Sequence, residues 1–141
     1  SYYDAGQGIA VPVENTTILG PDDLTEEMSV GVKANTTGER FVVDQTAAQF
    51  VRYQEAPDAL EALAAGEVDA VVVDIPVITD FVRKNPEVGV KLTGGPVTTE
   101  EYGIAVSKEK AEIRDGLNAL LAQMREDGTY DQIFQKWFGS P

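Results

Sequence analysis

The segment Asp69-Ala70-Val71-Val72-Val73-Asp74 constrains this chain more than any other. It is an apolar run of strand length, rich in β-branched residues and closed at both ends by carboxylates. Successive side chains of a strand point to opposite faces, so an unbroken apolar run needs cover on both, as in a parallel sheet with helices on either side. The next residues fit that demand. Ile75 to Lys84 reads as a helix with Pro76 in its first turn, stopping before Asn85-Pro86.

The same alternation extends along the chain. Residues 8–13, GIAVPV, read as a strand, and Pro21 to Leu24 as a short helical start. Residues 28–34, MSVGVKA, read as a second strand, and Gly38 to Gln49 as a helix whose start is marked by Thr36 and Glu39 at capping-box spacing. A short strand over 51–53, a helix from Pro57 to Ala65 closed by Gly66, and a strand from Val88 to Leu92 follow. Strands alternating with helices predict a doubly wound α/β domain. After Tyr102 the pattern predicts a strand over 103–106 and a helix from about Lys110 to Glu126. Its apolar stripe is Ile113, Leu117, Leu120, Leu121 and Met124. A last helix carries Tyr130, Ile133, Phe134, Trp137 and Phe138, and no core for it is evident in the sequence.

Composition removes several classes of chemistry. With neither His nor Cys, the chain has no Ser–His pair, no thiol nucleophile, no disulfide and no imidazole or thiolate metal ligand. Eleven Lys and Arg against 24 Asp and Glu leave a net charge of −13, and the first 32 residues carry six acids and no base. Nucleic acid is therefore excluded as a partner, and no cofactor or metal is expected. No apolar stretch approaches the ~20 residues of a membrane span, and no signal pattern follows Ser1, so any export signal is expected to have been removed or to lie outside the sequence. The adjacent pairs Asp22-Asp23, Glu26-Glu27 and Glu100-Glu101 read as solvated surface, since neighbouring side chains point apart.

Two places could hold a ligand. In Gly31-Val32-Lys33-Ala34-Asn35-Thr36-Thr37-Gly38-Glu39, a strand gives way to a helix start, where free amides and the Thr hydroxyls suit a carboxylate or phosphate. Alternatively Thr36 only caps its own helix. Asp74 ends the strongest strand, where ligands of open α/β sheets gather and where a carboxylate could pair with an ammonium. Alternatively it is the N-cap of the next helix. An anion cradle beside a carboxylate matches the two ends of an α-amino acid.

The order SYYDAGQ, VGVKANTTGE, ALAAGEVDAVVVDIP, EYGIAVSKE and REDGTYDQIFQKWFG resembles the bacterial extracellular solute-binding proteins of family 3, the polar amino-acid receptors of ABC importers. The resemblance runs through nearly the whole chain. It implies a type II periplasmic-binding-protein fold, non-catalytic capture of a polar amino acid outside the cytoplasm, and delivery to ABC permease subunits. It also implies that residues 1–7 are a hinge crossing, 8–101 the second lobe, 102–106 the returning hinge strand and 107–141 helices belonging to a first lobe. Most of that first lobe, on the order of 100 residues, would lie outside this sequence, together with an Arg that clamps the ligand carboxylate. Residue by residue, Asp74 matches the family's ammonium-binding Asp. Thr37, with Thr36 and Gly38 beside it, matches the turn that meets the α-carboxylate, and Lys33 a position that in some members reaches the ligand side chain. Asn35 stands where the family usually has Gly. The alternatives are a sensing domain of a permease or sensor kinase, and a dehydratase of the prephenate or arogenate type. The bare C-terminal helices are expected to pack on another copy as a domain-swapped homo-oligomer.

Overall fold

A computed structural model describes residues 1–138, so the last three residues of the expected 107–141 segment lie outside the described part. The chain divides into two compact units, Ala5–Glu100 on one hand and Ser1–Asp4 with the residues from Glu101 onward on the other.

In Ala5–Glu100, five strands make one sheet: β2 (Gln7–Pro12), β3 (Ser29–Lys33), β4 (Gln49–Tyr53), β5 (Ala70–Asp74) and β6 (Val90–Thr93). Their spatial order is β4-β3-β5-β2-β6. Strand β3 runs parallel to both β4 and β5, whereas β2 runs antiparallel to β5 and β6. The sheet is therefore mixed, where the valine run alone suggested a parallel one. Burial on both faces is what the run specifies, and an antiparallel neighbour meets that need equally well.

The cover on the two faces is clear. Val71 and Val73 pack with Ala10 against Ala59, Leu60 and Leu63 of α2 (Ala56–Ala64) and Ile78 of α3 (Ile75–Lys84). Ala70 and Val72 point the other way, with Ile9, Val11, Val30 and Val32, against Val42 of α1 (Thr37–Gln45) and Ile18 and Leu24 of the connecting loop. Helices thus lie on both faces of the sheet, the doubly wound arrangement. Helix α3 occupies the predicted residues, bounded by Pro76 and by Asn85. Helix α1 instead ends at Gln45, four residues early, because Gln49 already belongs to β4. Ala48 still packs against the core, but from the connection rather than from a helix.

In the other unit, α4 (Ala111–Glu126) and α5 (Thr129–Phe138) carry the predicted stripes, yet neither buries a residue fully. Residues 103–106 are not a strand; β7 (Glu100–Tyr102) precedes them and pairs only with β1 (Tyr3–Ala5). An apolar run becomes a strand only where a partner edge extends beside it, and β1 is three residues long. Tyr2, Tyr3, Tyr102, Tyr130, Phe134 and Phe138 form a ring cluster with centroids 5.1–6.5 Å apart. The Tyr130 hydroxyl donates to the Tyr2 carbonyl at 2.8 Å. Burial raises the Tyr3 pKa above its ordinary value.

Candidate functional site

Residue 33 ends β3 and residue 37 opens α1, so three residues must turn a strand into a helix. Asn35 takes the left-handed conformation, φ 60°, which Asn tolerates better than most residues. Thr36 is the N-cap: its hydroxyl donates to the Lys33 carbonyl at 2.7 Å and accepts from Glu39 N at 3.4 Å. The Glu39 carboxylate accepts from Asn35 N at 2.7 Å, one residue earlier than a strict capping box requires. Arg52 also donates to Glu39, and this pairing, followed by the Asn35 amide, holds the Glu39 pKa below its ordinary value. Lys33 pairs with Glu55 at 2.8 Å. The side chains of Thr36 and Glu39 and the Lys33 carbonyl thus fix the turn, while Thr37 stays exposed at its tip.

Asp74 closes β5 and is the N-cap of α3 by position, but its side chain makes no capping bond to that helix. It accepts from Gln7 Nε2 instead. Gln7 opens β2 directly opposite Asp74 in the ladder and is only 1% exposed. Its Nε2 also donates to Thr37 Oγ1 and to Glu100 Oε1, each at 3.1 Å. Glu100 accepts in addition from the Thr98 hydroxyl at 3.2 Å. One buried carboxamide therefore gathers Thr37, Asp74 and Glu100 around its nitrogen, while its Oε1 is buried without a partner. The orientation is unambiguous, because a flipped amide would set its oxygen against two carboxylates.

Gly38 lets this happen. A Cβ there would stand 2.5 Å from Gln7 Oε1 and 2.8 Å from the Val72 carbonyl, so only glycine brings the first turn of α1 this close to β5. The partial positive charge of the helix start is thereby carried toward the cluster. Thr37 and Glu100 also border an open depression of about 310 Å³, shared with Arg40, Phe41, Asp44 and Thr98.

Of the predicted residues, Thr37, Gly38 and Asp74 come together through Gln7. Thr36 and Lys33 are engaged in the turn, and Asn35 shapes it. Gln7 was not singled out by the sequence, and Glu100, expected with Glu101 to be solvated surface, is instead half-buried and accepts from Gln7 Nε2 and the Thr98 hydroxyl. A polar residue between two glycines at the head of an apolar strand is the signal that points to Gln7. Strand alternation turns Glu101 outward, as expected for that acidic pair, and by the same rule turns Glu100 inward. Among the described residues no cluster of acidic side chains could hold a metal ion, and no helix is long and apolar enough to cross a membrane.

Comparison with known proteins gives this geometry a context. The chain is 31% identical over 137 residues to the ABC transporter glutamine-binding protein GlnH of Bacillus subtilis, covering 96% of this chain and 49% of that protein. It is 34% identical over 141 residues to a probable histidine-binding protein of Neisseria gonorrhoeae, covering 97% and 52%. The chain thus spans about half the length of these relatives. Among solved structures, an ancestral arginine-binding protein bound to arginine superposes with a TM-score of 0.77 at 38% identity, covering 98% of this chain and 62% of that one. Residues 1–140 match the family as a whole, and the chain belongs to the bacterial extracellular solute-binding proteins, family 3.

Proposed function

We propose that this chain supplies one ligand-binding lobe, with the chain's return out of it, to an extracytoplasmic receptor that captures a polar amino acid and delivers it to the permease of an ABC importer. The observation that carries the reading is the convergence of Thr37 at the start of α1 with Asp74 and Glu100 on one buried carboxamide. An amino acid presents a carboxylate and an ammonium a few ångströms apart. The helix start suits the first, with the Thr37 and Gly38 amides and the Thr37 hydroxyl as donors. The Asp74 carboxylate suits the second through a charge-assisted hydrogen bond. Nothing in this arrangement requires covalent chemistry: capture by hydrogen bonds and charge is sufficient. The opposite wall of the site, including the clamp for the ligand carboxylate, belongs in this reading to a lobe outside the present sequence, as the half-length match to the relatives supports. Residues 107–138 would pack against that lobe.

The test is isothermal titration calorimetry of the full-length protein against each of the twenty amino acids. Saturable binding of at least one polar amino acid, at micromolar affinity or tighter, is expected. Absence of binding throughout would sink the reading.

A further inference from the structure

Strand β4 ends the sheet, and its free edge lacks the features that keep such edges from pairing. It runs Gln49-Phe50-Val51-Arg52-Tyr53 with no proline or lysine, in unbroken register with β3, its sole ladder partner among the described residues. The opposite edge, β6, is shorter, carries Lys91 and runs into Gly94-Gly95-Pro96. Residues 49–52 are all exposed, Phe50 and Val51 by 38% each. The apolar surface continues onto α1, where Val43 borders a depression together with Phe50 and Arg52. Gln49 N donates to the Met28 carbonyl and the Tyr53 carbonyl accepts from Ala34 N. Parallel pairing alternates, so residues 49, 51 and 53 turn their main chain to β3, and the N–H and C=O groups of Phe50 and Arg52 point away from the sheet.

We propose that this edge pairs, antiparallel and about a two-fold axis at Val51, with β4 of a second copy of the chain. In that register Phe50 stands opposite Arg52 of the second copy, and the outward main-chain groups of the two residues satisfy one another. The side chains fit the same register. The Arg52 guanidinium lies 4.7 Å from the centroid of its own Phe50 ring, and it meets a second ring across the axis. An axis at Arg52 would set like charges opposite each other, and an axis at Phe50 would leave Arg52 facing Ala48, beyond the strand. A strand that carries both members of a cross-strand pair two residues apart is complementary to itself, so the occupant is a second copy. Charge favours the same place. Copies of net charge −13 repel, yet the depression beside β4 sets Arg40 and Arg52 against Glu39 alone, and Arg52 enters already paired with Glu39. The surface is separate from the ligand cluster and from α4 and α5.

Disulfide trapping in the full-length protein tests the register, since the present sequence contributes no cysteine of its own. Residues facing each other across such an axis have Cα atoms about 4.5 Å apart, within disulfide reach. Mild oxidation should therefore link Val51→Cys into a covalent dimer that wild type treated alike does not form. Gln49→Cys, whose two copies would lie about 14 Å apart, should not link. Phe50→Lys sets an ammonium opposite Arg52 of the second copy, and should weaken the dimer of the otherwise unaltered protein about tenfold in sedimentation. Linking of Gln49→Cys as readily as Val51→Cys, no linking of Val51→Cys, or a wild-type monomer at about 1 mM overturns the proposal. So does a dimer that Phe50→Lys leaves unchanged, which would assign association to another surface such as α4 and α5. None of these outcomes touches the amino-acid reading.

Discussion

Gln7 stands opposite Asp74 in the antiparallel pairing of β2 with β5, and its carboxamide donates to the carboxylate it faces. The contact joins residues 67 positions apart in sequence. It also makes Gln7 one of only two buried polar side chains among the described residues, with Thr93 the other. Neutrality is the essential property of Gln7, because Asp74 and Glu100 already supply two negative charges.

Gln7→Glu should therefore be costly at neutral pH. It buries a third carboxylate among acceptors, and an uncompensated buried charge costs about 3–5 kcal/mol. The folded-state pKa of the new group would be raised, so the penalty opens as pH rises through the unfolded value of about 4.3 and closes below it. Urea denaturation of both proteins at pH 7 and pH 4 checks this. A difference in stability that does not shrink on acidification contradicts it.

Asp74→Asn should weaken amino-acid binding by the full-length protein by about 2–4 kcal/mol, roughly 30- to 1000-fold in Kd. Asparagine keeps the shape and loses the charge, so the loss reports on the ammonium contact. An unchanged Kd would remove Asp74 from the site.

Gly38→Ala has a purely spatial problem, since the added Cβ would press on Gln7 Oε1 and on the Val72 carbonyl. The first turn of α1 must then move off β5, at a cost of about 1–3 kcal/mol, and ligand affinity should fall with it. Gly116→Ala provides the contrast. It lies within α4 with open space around it, and should stabilise that helix by about 0.5–1 kcal/mol. Hydrogen exchange of the α1 and α4 amides distinguishes the two effects.

Acid should loosen the turn between β3 and α1. The Arg52 side chain, then the Asn35 amide, lower the Glu39 pKa from its ordinary 4.5. A depressed folded-state pKa means that Glu39 stabilises the fold above the ordinary value, and that this contribution fades as pH falls through the depressed one. The wild-type urea midpoint should drop below about pH 4.5, and Glu39→Gln should flatten that part of the profile. Parallel profiles for the two proteins would show that Glu39 contributes no pH dependence.

The 141-residue chain should self-associate when produced alone. Ile113, Leu120, Ile133 and Trp137 are 45–51% exposed on α4 and α5, and apolar patches of that kind mark interaction surfaces. Light scattering at micromolar concentration should give a mass well above 15.2 kDa. A stable monomer whose Trp137 fluorescence resists a soluble quencher would contradict the expectation.

What the sequence made legible was local. Pro76 and Asn85-Pro86 bound α3, Thr36 caps α1, and the valine run is a strand buried on both faces. Strand direction was not legible, because a parallel and an antiparallel neighbour leave the same alternation in the run they cover. Nor was the end of α1, where the claim of β4 on Gln49 outweighs helix pattern. The GIAV run at 103–106 shows the converse: apolar character without an adjacent edge yields no strand. In the candidate site, Thr37 and Asp74 stood out because each sits at a strand–helix junction, a kind of place that recurs in open α/β sheets. Gln7 and Glu100 meet across 93 residues, and such a meeting has no local signature.

The places where the polypeptide enters and leaves the Ala5–Glu100 unit coincide with the cluster. Gly6 has no side chain to hold residues 96–98 away, the Gln7 carbonyl accepts from Val97 N at 2.8 Å, and Gln7 N donates to the Thr98 hydroxyl at 2.9 Å. Entry and exit are thus stitched to each other beside the Gln7 carboxamide. Any displacement of Gln7 would therefore be felt first in the backbone at both ends of the Ala5–Glu100 unit, where a few hydrogen bonds tie the first strand to the last turn.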